Sequence, residues 1–300
     1  MKRYLCFIGI LLSGMAALGN SQDENKRDTE STISVTAAGA VPDGVTDCTA
    51  AFRQALTSGR AVVVVPPGKF AVSQITVPRG ITLIGGGSES LIVPLKNAVA
   101  AETSNGKETE KLRHDESAPQ KLIVMIEGST IKNLNIDAGG GNIVGIYTAR
   151  SKDIVISGCG IKNTKSFGIN LSHVDSILVE NNNICNAQRA INIDFSNNLR
   201  VLNNSVSDCT EHGIQFWGNY NWKDESRCQN IIFSGNIVKN GGRGAIWGTG
   251  YRNIIMSNNL IDGAKDVGLD LEWCDDSVIV GNVVRNTENG GISLFFVVVE

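Results

Sequence analysis

A short phrase recurs through the second half of this chain: a small residue, then alternating apolar and polar residues. The small residues are Gly145, Gly168, Ala190, Gly213, Gly244, Gly268 and Gly291, separated by 23, 22, 23, 31, 24 and 23 residues. A second register, Ile154, Ile177, Leu199, Ile231, Ile254 and Val278, keeps nearly the same period. Such a period marks a solenoid, in which each coil buries its apolar face only by stacking on its neighbours. The unbroken repeat makes the chain one elongated unit. Its 33 glycines among 300 residues suit a fold that turns at every coil corner.

The N-terminus reads as a secretory signal over residues 1–19. Lys2 and Arg3 form the basic start, Leu5 to Leu12 the apolar stretch and Ala17-Leu18-Gly19 the small residues for cleavage. The apolar stretch is too short and too interrupted for an anchor, so no membrane span is expected in the mature chain. Residues 20–31 are polar and form a flexible lead-in. Removing Lys2 and Arg3 leaves 27 − 2 = 25 basic against 30 acidic side chains, a net charge of −5. That charge excludes nucleic acid as a partner, because phosphate binding needs a basic footprint. Six cysteines remain: Cys48, Cys159, Cys185, Cys209, Cys228 and Cys274. They contain no CxxC pair and follow the repeat, so most read as small core fillers, with a Cys228–Cys274 bridge left open.

The stretch from Ala38 to Phe70 has a different grammar. Pro42-Asp43-Gly44 is a turn signal. Asp47 reads as the N-cap of a short helix with Phe52, Ala55 and Leu56 on one face and Gly59 ending it. Val62 to Val65 is a buried strand stopped by Pro66-Pro67-Gly68. A helix across the open end of a solenoid shields its first coil.

These residues, with Gly39-Ala40, Thr49, Ala51 and Lys69-Phe70, closely resemble the N-terminal segment of the pectate-lyase superfamily, which includes rhamnogalacturonase- and epimerase-like proteins. The resemblance implies an all-β fold: a right-handed single-stranded parallel β-helix with an N-terminal capping helix. The β-helix domain then spans residues 32–300: cap and first coils over 32–95, a polar insertion over 96–120, and regular coils over 121–300. The resemblance also implies extracellular polysaccharide chemistry by a hydrolase, lyase or epimerase. The motifs of particular members are broken. Asn192–Asp194, Cys274–Asp276 and Glu211–Gly213 only echo the NTD, DD and GHG motifs of polygalacturonases, and RIK, WxDH and RxPxxR are absent.

Short strands are expected at Ile75 to Val77, Ile81 to Ile84 and Leu91 to Val93. Gly85-Gly86-Gly87 lacks the spacing of a phosphate loop and reads as a coil corner. Beyond Ile131 the alternation assigns side chains to faces. The third position of each phrase points out: Tyr147, Asn170, Asn192, Gln215, Ile246, Asp270 and Ser293. So does the fifth: Ala149, Ser172, Asp194, Trp217, Gly248, Glu272 and Phe295. This phasing puts Trp247 in the core. Asn183, Asn236, Asn259 and Asn282, each before an aliphatic residue, align as an internal amide ladder.

The fifth-position stripe carries the candidate chemistry. Trp217 between Asp194 and Glu272 suits a sugar ring, with the indole as platform, and Gly248 leaves room beside it. Asp270 and Glu272 share one face two residues apart, within the range of paired-carboxylate glycosidases. Their mutual repulsion can hold one proton and make an acid beside a base. Asp270, Glu272 and Asp194 are therefore the candidate catalytic residues. A third stripe, Arg189, His212 and Arg243, offers basic groups to an acidic sugar. The loop of the 31-residue coil adds Tyr220 and Trp222 as a cleft wall. The expected activity is cleavage of a polysaccharide, possibly uronic-acid-containing, by a secreted or periplasmic enzyme. Calcium is expected only if the reaction is a β-elimination. A non-catalytic glycan-binding or adhesion solenoid is the alternative. The closing "GGISLFFVVVE" ends in a strand with no cap after it, so a further coil or segment is expected beyond residue 300.

Overall fold

The structure is a computed structural model that describes residues 31–95, 119–219 and 228–295. The leader (1–19), all but the last residue of the lead-in (20–31), nearly all of the polar insertion (96–120), Tyr220, Trp222 and the last five residues lie outside that set.

The described strands form three parallel sheets of ten, ten and nine strands, and the chain visits the three in turn. One coil shows the plan. Lys152–Ser157 lies in the first sheet, Gly160–Thr164 in the second and Phe167–Ser172 in the third. The next coil repeats it in register, with Ile154 on Ile177, Ile161 on Ile184 and Ile169 on Ile191. The expected parallel β-helix is thus what forms. The core is a set of aliphatic columns running along the solenoid axis, with Ile154, Ile177, Leu199, Ile231 and Ile254 stacked and each at most 2% exposed. The last member of that column is Ser277; Val278 points outward and is more than half exposed.

The small residue of each coil is set by backbone contact. A Cβ added at Gly145, Gly168 or Gly213 would stand 2.7 Å from the carbonyl oxygen of the next coil's small residue. For Gly213 that residue is Ala245, not Gly244. The pairing of Ile214 with Ile246 and Trp217 with Thr249 gives the same phase. Ile246 is therefore buried, Trp247 faces out, and Gly248 lies inside against the Phe216 ring, 2.1 Å from where its Cβ would be. Gly248→Ala is expected to destabilise the protein by roughly 1–3 kcal/mol through overpacking. Thermal denaturation checks it, and a melting temperature equal to the parent's would contradict an inward Gly248.

The amide ladder is longer than expected and shifted at one rung. It runs through Asn182, Asn204, Asn236, Asn259 and Asn282. Each Oδ1 accepts the backbone N–H and the side-chain N–H of the preceding rung, as Asn236 does from Asn204 at 3.0 Å for both. Asn183 is exposed at the start of its strand, so Asn182 is the member in that run of three asparagines. Asn204 precedes Ser205, so a search for Asn before an aliphatic residue passes it by.

Helix α1, Thr49–Leu56, buries Thr49, Phe52, Ala55 and Leu56. Phe52 packs edge-on against Phe70, with ring centroids 5.8 Å apart. Cys48 occupies the N-cap position, one residue later than expected, while Asp47 accepts the Thr49 N–H at 2.8 Å. The six described cysteines are free, including Cys228 and Cys274, and all but Cys185 are buried. Burial pushes the Cys159 thiol up to about 11 and the Cys209 thiol to about 12, as apolar surroundings do to an inert thiol. In the last described coil, Ile292 and Leu294 align with the buried Leu269 and Leu271 yet are more than half exposed.

Candidate functional site

The third sheet carries the outward stripes. Its third-position row is Tyr147, Asn170, Asn192, Gln215, Trp247, Asp270 and Ser293. Its fifth-position row is Ala149, Ser172, Asp194, Trp217, Thr249, Glu272 and Phe295. The one-residue phase change after the longest coil brings in Trp247 for Ile246 and Thr249 for Gly248.

Trp247 joins the site together. Its ring lies 5.2 Å from His212 and 5.4 Å from Trp217, centroid to centroid. Its Nε1–H donates to Glu272 Oε1 at 3.1 Å. The indole thus fixes the orientation of one candidate carboxylate while extending the aromatic surface begun by Trp217. The phrase "AIWGT", phased on Ala245, would have placed Trp247 outside. Two small residues in "RGAIW" made the choice ambiguous.

Asp270 sits beside Trp247 on the neighbouring strand and is only 7% exposed. Its Oδ1 is buried without a hydrogen-bond partner. Burial, with smaller contributions from the charges of Glu272 and Asp266, pushes its carboxyl up to about 6, against an opposing hydrogen bond from Ser293. A carboxyl of this kind is half protonated in mildly acidic solution and can give up a proton. Glu272, two residues along the strand, has its backbone roughly 6.5–7 Å away by strand geometry.

The remaining candidates are spread along the solenoid. Asp194 accepts a hydrogen bond from Asn192 Nδ2 at 2.7 Å. It lies next to Trp217 and three strand steps from Glu272, roughly 14 Å at the usual strand spacing. His212 is pushed down to about 4 by burial, then by the Arg189 and Arg243 charges, so it is neutral at pH 7. Its Nδ1 accepts the Gly244 N–H at 3.2 Å, which puts its own proton on Nε2. It therefore offers a hydrogen-bond donor rather than the positive charge expected of it. Arg189 is ion-paired with Glu211 and lies over the Phe167 ring at 5.4 Å. Arg243 is exposed in a turn, and Gly244 takes the place after His212 in the row, so the three-residue basic stripe is not formed. Among the described residues, no three His, Cys, Asp or Glu side chains come together as a calcium or other metal site. No described helix is long and apolar enough to cross a membrane.

Residues 32–140 match the family model "Rhamnogalacturonase A/epimerase, pectate lyase-like". Residues 96–224 and 223–297 match "Right handed beta helix region". The chain is 24% identical over 307 aligned positions to the SPbeta prophage-derived uncharacterized protein YomE of Bacillus subtilis (strain 168), covering 88% of this chain and 44% of that one. The pre-mature gene product 12 of bacteriophage phi29 superposes with a TM-score of 0.63 at 18% identity, over 91% of this chain and 47% of that one. The A-module of the Azotobacter vinelandii mannuronan C-5 epimerase AlgE6 gives 0.59 at 14% identity, over 87% and 79%. The chain thus spans less than half the length of the first two. At these identities, the two solved structures share its fold.

Proposed function

Because the chain belongs to the right-handed β-helix family, we propose that its third sheet binds a polysaccharide and that Asp270 and Glu272 cleave a glycosidic bond there. The single observation that carries this is the buried Asp270 carboxyl, held near 6, two residues from a Glu272 oriented by the Trp247 indole. Asp270 in its acid form protonates the glycosidic oxygen, and Glu272 acts as the base or nucleophile towards the anomeric carbon. Trp217 and Trp247 stack against sugar faces, and His212 Nε2–H and Asp194 bind hydroxyls on either side. Hydrolysis fits better than β-elimination, because the converging groups are carboxylates and His212, neutral at pH 7, brings no positive charge to offset a uronate carboxylate. An exported location, with the leader removed, belongs to the same proposal. The matches to a pectate lyase-like model and to a mannuronan epimerase fold support a polysaccharide as the substrate class.

The test is incubation with a panel of plant, algal and host glycans, scoring new reducing ends and unsaturated products separately. Reducing ends without unsaturation are expected, and Glu272→Gln is expected to lower the rate at least about 100-fold. A Glu272→Gln variant with parental activity would remove the pair from the mechanism.

A second reading is binding without cleavage. The near-complete burial of Asp270 favours it, and so does the 41% identity over 68 residues to a pre-neck appendage protein of Bacillus phage B103, which covers 22% of this chain and 8% of that one. A glycan that binds, loses affinity in Trp217→Ala and yields no product would establish this reading.

A further inference from the structure

The chain bends from the third sheet into the first at a corner where a residue lies in the left-handed backbone region on most of the coils, Gly250 included and Gly218 not. Elsewhere in the described residues, positive-φ positions other than glycine are taken by Asn, Asp or Ser. Those side chains tolerate that conformation, while bulky ones raise its cost. Four exceptions occur: Arg150 (φ 48), His173 (φ 54), Phe195 (φ 48) and Trp273 (φ 50), of which His alone visits this region readily. All four lie at this one corner, each directly after the fifth-position row. Gly218 and Gly250 take the same place on the two coils between Phe195 and Trp273. Bulky side chains at positions that Asn, Asp, Ser or Gly fill elsewhere in the described coils point to a use for the side chains themselves.

The first three exceptions border a shallow, open cleft of about 360 Å³ that runs along the corner over successive coils. That volume is at the lower end for ligand clefts. The His173 and Phe195 rings stack 5.1 Å apart, 25° from parallel, and Phe195 is 41% exposed. Ser172 Oγ lies 2.9 Å from His173 Nδ1 and holds that ring in place. Charge in the cleft is balanced: Arg150 and Lys152 face Glu127 and Asp175. Glu127 is engaged by Arg79 at 2.7 Å and by Lys152 at 3.7 Å. Asp175 is engaged by Ser176 at 2.6 Å and by Asn198 at 2.9 Å. Arg150 makes no salt bridge among the described residues, which leaves its planar donors for a ligand.

We propose that this corner cleft, built on Arg150, His173 and Phe195, is a second saccharide-binding site and that it takes neutral sugar units. An exposed ring beside a mixed set of hydrogen-bonding groups matches a pyranose, which has an apolar face and a hydroxyl rim. The balanced charge selects against a polyanion. The cleft flanks the coils that precede Trp217, on the same side of the solenoid. A chain lying along the axis can occupy both places, but binding at the corner stands whether or not the carboxylate pair cleaves anything.

Phe195→Asn is the informative variant, because Asn holds φ near 55° at Asn181, Asn203 and Asn258 in this same fold. Titrations with xylo-, cello- and laminari-pentaose, with tetragalacturonate as the acidic control, are followed by calorimetry in the full chain carrying Glu272→Gln to prevent turnover. At least one neutral pentaose is expected to bind. Phe195→Asn is expected to weaken it at least about tenfold with an unchanged or higher melting temperature, and Arg150→Ala to weaken it as well. Equal affinity in Phe195→Asn, binding of the acidic oligomer alone, or no binding of any neutral pentaose overturns the proposal. Failure of the carboxylate pair has a different signature: unchanged cleavage in Glu272→Gln with corner binding intact.

Discussion

Asn236→Ala is expected to destabilise the protein by roughly 3–5 kcal/mol, a large loss for a single polar truncation. Asn236 is fully buried and uses both ends of its amide. Its Oδ1 accepts from Asn204 N and Nδ2, and its Nδ2 donates to Val201 O at 2.9 Å and Asn259 Oδ1 at 3.0 Å. Removing it leaves the Asn204 N–H and the Val201 carbonyl without partners in a place water does not reach. Because solenoid coils contact only their neighbours, the damage centres on the coils of Asn204 and Asn259. Urea denaturation measures the loss, and hydrogen exchange locates it. A change below about 1 kcal/mol would mean that the ladder contributes little beyond ordinary packing.

Asp270→Asn is expected to have two effects of opposite sign. Activity on the polysaccharide should fall at least about 100-fold, because the variant has no carboxyl proton to give. Stability at pH 8 should rise. The Asp270 pKa is raised in the folded chain, from 3.8 to about 6. Its contribution to stability is therefore full below 3.8 and is lost as pH rises through 6, at a cost of about 3 kcal/mol by pH 8. Asn carries no charge and avoids that cost, so a gain of about 1–3 kcal/mol is expected at pH 8 and little at pH 4.

His212 titrates in the other direction. Its folded pKa is depressed from 6.5 to about 4, so its contribution is present above 6.5 and is lost as pH falls through 4. The two groups oppose each other between pH 4 and 6.5, and the parent protein should show a nearly flat profile there. Asp270→Asn removes one of them, and its stability should then fall on acidification across that window. Thermal unfolding at pH 4.5, 6 and 8 reads both effects. An equally flat profile in Asp270→Asn would remove the raised Asp270 carboxyl as a contributor to the pH dependence.

The candidate site was half legible in the sequence. Trp217, Asp194, Asp270 and Glu272 fall on the expected stripes because alternation within one strand is a local property. Trp247 was lost because local alternation cannot choose between Gly244 and Ala245 as the start of a coil. That choice is made between coils, where Gly213 lies against Ala245 rather than Gly244 and Ile214 pairs with Ile246. The Asn182 rung was misplaced for the same reason, since three consecutive asparagines offer three phases and only the Asn204 amide selects among them. The basic stripe failed on phase and on charge, since Gly244 rather than Arg243 follows His212 in the row. Arg189 found Glu211, and burial beside two guanidinium groups neutralised His212.

By itself the sequence determined the solenoid, its period, its capping helix and the inward columns of aliphatic residues. These follow from repeated spacing and hydrophobicity, which each coil carries within its own residues. Only the tertiary structure decided which indole meets Glu272, which carboxyl is buried enough to hold a proton near pH 6, and which corner gathers Arg150, His173 and Phe195 along one cleft. Those outcomes depend on the register between coils and on desolvation, and both arise from contacts between residues more than twenty positions apart in the chain.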